Sequence, residues 1–170
     1  MLRGQDILIL VGLFGADTRL TIQHVADELG LDVASVHRGL GRLSEARLIT
    51  EDRRVALAQA DEFLAHGLQY VFPARFKGES RGVPTAWAAP PLRELLTETD
   101  APPPVWPHPT GDTRGIALEP FHSAVPNAAL RNAPLYERLA LVDALRAGDA
   151  RVRRLARDEL LQRGSAGSSL

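Results

Sequence analysis

The chain has 170 residues, 45% hydrophobic and 5% aromatic, with a formal net charge of -1 and no cysteine. That length supports one sizeable core or two small ones, packed with aliphatic side chains. The even charge excludes a chain-wide attraction to nucleic acid, so a DNA contact must gather its positive charge locally; the lack of cysteine excludes disulfides and thiolate metal sites and agrees with a cytoplasmic location.

Ile7 to Phe14 form an apolar run far shorter than the roughly 20 residues of a membrane span. Asp6 and the missing small-residue cleavage pattern oppose a signal peptide, so the run predicts a packed first helix and no membrane partner. Ile22, Val25, Ala26 and Leu29 then follow the i, i+3, i+4, i+7 spacing of one helical face, with Thr21 as predicted N-cap. Gly30 stands where a left-handed residue ends a helix, and Asp32 is the predicted N-cap of the next one, whose buried stripe is Val36, Leu40 and Leu43. Ala34, Ser35, His37, Arg38, Gly41, Arg42 and Glu45 are left to face outward. Arg38 suits a bidentate contact to guanine, whereas Arg42, farther from the helix start, suits phosphate. Gly39 and Gly41 each weaken a helix by about 1 kcal/mol. Close approach of the backbone to DNA or to the neighbouring helix would explain them; the expectation is that packing merely tolerates Gly39, and that Gly41 is the one with a functional reason.

The phrase Leu43-Ser44-Glu45-Ala46-Arg47-Leu48-Ile49, with Thr21, Val25-Ala26, Leu29-Gly30-Leu31, Val36 and Leu40 before it, resembles bacterial winged helix-turn-helix transcriptional regulators of the broad MarR-like type. The likeness covers Gln5 to about Leu57. It implies that the second helix lies in the major groove with its N-terminal residues toward the bases. It also implies a wing over Leu48 to Leu57, in which Ile49 and Val55 flank Glu51-Asp52-Arg53-Arg54 and bring Arg53 and Arg54 to minor groove or phosphate. Helices outside the reading head would build a homodimer matched to palindromic DNA.

Phe63, Leu64, Leu68 and Val71 predict a helix over 59–71, ended by Phe72-Pro73. Prolines from Pro73 to Pro126 exclude long helices and predict a loop-rich stretch with a few short strands over 72–131. Inside it Gly78-Glu79-Ser80-Arg81-Gly82-Val83 returns as Gly111-Asp112-Thr113-Arg114-Gly115-Ile116. The plainer expectation is a turn in each copy; the sharper one has Arg81 and Arg114 converging on an anionic ligand or a partner's carboxylates, flanked by Trp87 and Trp106. There is no HExxH, GxSxG or P-loop, and His108, Asp112, Glu119 and His122 lack a metal-ligand spacing. Neither catalysis nor a metal nor a cofactor is expected.

Leu135, Leu139, Val142 and Leu145, opened by Asn132 and Pro134, predict a helix that Gly148-Asp149 breaks and recaps. The last helix pairs a stripe of Val152, Leu155, Ala156 and Leu160 with Arg151, Arg153, Arg154 and Arg157, arginines fit for a second DNA contact, an acidic partner or mere solubility. This helical pair spans 132–163, with a frayed tail from Gly164. The expected fold is mainly α (α+β), with a DNA-binding winged helix-turn-helix domain over 1–58 and an assembly or sensing module over 59–170. The expected function is that of a cytoplasmic, dimeric repressor reading double-stranded DNA. The alternatives are an antitoxin-like module that binds a partner protein and a regulator that answers a small-molecule effector.

Overall fold

The computed structural model describes residues 1–165. Helix α1 (Gly4–Leu13) is apolar around its whole circumference from Ile7 onward, and every residue from Asp6 to Leu13 is buried. Such a helix has no solvent side and must lie inside the molecule. It packs against α2 (Ile22–Leu29) and α3 (Val33–Glu45) on one side and against α8 (Ala133–Ala147) on another.

Local signals set the α2–α3 pair. Thr21 accepts the His24 amide at 3.1 Å, Gly30 takes a φ of 68°, and Asp32 accepts the Ser35 amide at 2.8 Å. After α3 the chain reverses through Arg47, at φ 60°, and the Leu48 amide donates to the Leu43 carbonyl at 2.9 Å. The hairpin that follows is minimal. A single antiparallel bridge joins Ile49 to Val55, supported by the Thr50 amide donating to the Arg54 carbonyl at 2.8 Å. Helix α4 (Leu57–Glu62) then continues through a π-turn (Phe63–Gly67) into α5 (Leu68–Val71).

The middle of the chain holds β1 (Phe76–Pro84), a 3-10 turn (Ala86–Ala88), α6 (Leu92–Leu95), β2 (Pro104–Pro107), β3 (Thr113–Leu118) and α7 (Val125–Arg131). The two turns expected from the glycines and acids of the repeat are not formed. Its copies lie within β1 and across the start of β3, paired antiparallel with Arg81 opposite Arg114. β2 runs antiparallel to β1 and parallel to β3, so the three strands close on one another. The glycine shared by the copies explains the motif. A Cβ on Gly82 would lie 1.9 Å from the Trp106 carbonyl oxygen, and one on Gly115 2.0 Å from that of Pro103. Only glycine permits so close an approach of backbones. α7 is short enough to fit among the prolines, with Pro126 in its first turn, where the missing N–H is not needed.

Asn132 caps α8 through the Leu135 amide at 3.0 Å, and Asp149 accepts the Val152 amide at 2.9 Å at the start of α9 (Ala150–Ser165). α9 runs through Gly164, where fraying was expected; the rest of that expected tail, 166–170, lies outside the described residues. One apolar cluster joins Ile7 to Val11 with Leu40, Leu43, Trp106, Leu139, Val142 and Leu160. The fold is thus helical with one small sheet, and no helix among the described residues is long and apolar enough to cross a membrane.

Candidate nucleic-acid interface

The stripe of Val36, Leu40 and Leu43 turns α3 inward, which leaves Val33, Ala34, His37, Arg38 and Gly41 exposed on its other side. A Cβ on Gly41 would meet nothing within 4 Å. Ser35 is half-buried, and the Arg38 guanidinium donates to its hydroxyl through Nη2 at 3.2 Å. Hydrogen bonding by Ser35 holds the Asp32 carboxyl below its ordinary range, so the helix start carries a carboxylate next to Arg38. Val33, 43% exposed, and Arg47, exposed at the far end of the helix, are not among the predicted contacts. Val33 could have been found as an apolar residue off the buried stripe.

Arg42 leaves this face. Its Nε and Nη2 donate to Oδ2 and Oδ1 of Asp6 at 2.7 and 2.8 Å, and Asp6, wholly buried, also accepts the Arg3 amide at 2.8 Å. The hydrogen bond with Asp6 raises the Arg42 guanidinium above its usual pKa. A planar fork committed to a buried carboxylate fastens α3 to the start of α1, which replaces the phosphate contact expected of it. Gly39 belongs to the same crossing, since a Cβ there would stand 2.4 Å from Ile9 Cδ1 and 2.9 Å from Asp6 Oδ1. Close approach of α1, more than tolerant packing, accounts for that glycine. In the hairpin Arg54 is exposed, whereas Arg53 is half-buried at φ 60°, with Nε and Nη1 screened from solvent and without a partner among the described residues.

The second set of predicted residues does not form one site. Arg81 and Arg114 are exposed cross-strand partners, and Arg114 Nη2 lies 3.4 Å from Glu79 Oε2. Trp106 is wholly buried, with Nε1 donating to Asp143 Oδ2 at 2.6 Å and its ring 5.9 Å from that of Tyr136. Asp143 further accepts Thr85 Oγ1 at 2.8 Å and Arg146 Nη1 at 2.7 Å, while Arg146 Nε donates to the Phe72 carbonyl at 2.8 Å. Burial pushes the Asp143 carboxyl up, and the Arg146 charge opposes that push. Trp106 is therefore a core residue and cannot flank a ligand. Trp87, half-buried, lines a separate cavity.

Of the arginines on α9, Arg157 grips Asp61 of α4 with two hydrogen bonds of 2.7 Å and Arg153 donates to Gln69, so both tie α9 to the α4–α5 helix. Arg151 and Arg154 remain exposed. No protein family, curated protein or solved structure matches the chain.

Proposed function

We propose that this protein is a sequence-specific regulator that binds double-stranded DNA as a winged helix-turn-helix dimer, with repression as its mode of action. The observation that carries the reading is the bare side of α3: among the described residues no later segment covers Val33, Ala34, His37, Arg38 or Gly41, while Arg42 and Gly39 fasten the helix to α1. A rigid helix with small residues and one arginine on its open face is shaped to enter a major groove. Arg38, exposed in the first half of the helix, offers its fork to the O6 and N7 acceptors of guanine. Phosphate contacts then fall to Arg54 and Arg47 at the two ends of the hairpin, with Arg53 contributing less from its half-buried position.

Selection of bound duplexes from a random pool with the full chain tests the reading. Enrichment of one sequence is expected, and Arg38→Ala should weaken binding to it by about tenfold or more. Arg54→Ala should instead lower affinity for all duplexes and flatten the salt dependence by about one phosphate contact. A pool that shows no enrichment, or two variants that bind as the parent does throughout a salt titration, would sink the proposal.

A further inference from the structure

A cavity of about 620 Å³ opens between the 3-10 turn, α6, the loop leading to β2 and the start of α9. Its volume lies within the range of small-molecule sites. Trp87, Leu96 and Val152 supply apolar walls, and Arg93 and Arg151 supply cations. The turn that carries Trp87 is built at a price in backbone strain, since buried Ala86 holds a φ of 53° that alanine rarely adopts. We infer that this cavity binds a small molecule made of a flat ring and an anionic group, the ring laid on Trp87 and the anion held by Arg151 and Arg93.

The lining charges balance in number, two arginines against Asp149 and Glu98, so the preference for an anion rests on which groups have hydrogen-bonding capacity to spare. Two carboxylates also line the cavity, but Asp149 is engaged in capping α9 through the Val152 amide, and Glu98 sits on the exposed loop. Among the described residues Arg93 makes one ion pair, with its exposed neighbour Glu94 at 3.2 Å, a surface pair of the kind that yields readily to a competing anion. Arg151 makes no ion pair among the described residues. Two guanidinium groups and an indole in one cavity suit an aromatic carboxylate and a nucleotide alike, because both present a π-face and an oxyanion.

Calorimetric titration of the full chain with naphthoate and with adenosine monophosphate separates those two sources, and each has a neutral counterpart, naphthylmethanol and adenosine. At least one anion should bind at sub-millimolar concentration, with its neutral counterpart weaker by about tenfold. Arg151→Gln should reduce that preference, and Arg151→Gln combined with Arg93→Gln should erase it, without shifting the thermal unfolding of the protein, because both residues are exposed; Trp87→Ala should weaken binding where Trp87→Phe retains it. Binding by neither anion, equal binding of the neutral counterpart, or a protein with both Arg151→Gln and Arg93→Gln that still prefers the anion would overturn the inference. The titration contains no DNA, so its result stands or falls apart from the reading of α3.

Discussion

At the scale of single residues, the fate of Asp6 governs how α3 is presented. A carboxylate with no solvent exposure is tolerable only because two guanidinium hydrogen bonds and one backbone amide satisfy it. Removing Arg42 leaves that charge buried and uncompensated, so Arg42→Met should lower unfolding free energy by about 3 kcal/mol or more. Arg42→Lys keeps the charge but not the planar fork and should also destabilise, which a residue serving only phosphate would not do. Pairing Arg42→Met with Asp6→Leu removes both charges and should restore much of the loss. Urea unfolding followed by circular dichroism measures all three; an Arg42→Met protein as stable as the parent would show that the pair does not hold the helices together.

At the scale of elements, the two glycines of α3 give opposite expectations from the same substitution. Gly41→Ala meets open space, so helix propensity alone acts and stability should rise by about 1 kcal/mol. Gly39→Ala gains the same propensity but forces a methyl against Ile9 and Asp6, and should destabilise by about 1–3 kcal/mol as overpacking does. If the open face reads DNA closely at Gly41, the stabilised variant should also bind the selected duplex less well. Equal stabilities of the two variants in thermal melts would contradict the packing. α2 and α3 were legible in the sequence because their caps, stripe and terminating glycine act within a few residues of one another. The repeat was visible too, yet its meaning was not: Gly82 and Gly115 are required by strands that meet only in three dimensions. The same holds for Arg42 and Asp6, 36 residues apart, and for Trp106 and Asp143, 37 apart, where Arg42 alone reads as an ordinary exposed arginine and Trp106 alone as a free aromatic.

At the scale of the whole molecule, α1 serves both ends of the chain. Its N-terminal turn anchors α3 through Asp6, and its body packs on α8. The far end of α9 closes over the same region, with Gly164 set against Leu57 and Phe14, while Arg157 clamps Asp61. A fragment ending at residue 58 would keep α1, α2, α3 and the hairpin but strip α1 of α8 and Phe14 of α9. Each fully buried leucine or isoleucine returned to water forfeits about 1.5–3 kcal/mol, and small domains have little stability to lose. Such a fragment should therefore lack a cooperative thermal transition, whereas the full chain should unfold in one step. In the full chain the change in helical circular dichroism should coincide with the exposure of Trp106, which reports from the same apolar cluster. Two separated transitions, or a fragment that melts cooperatively and binds the selected duplex as tightly as the whole protein, would show that the reading head is autonomous. Coincident transitions would show that α3 shares its global stability with α8 and α9, as expected of elements that contribute to one apolar cluster among the described residues.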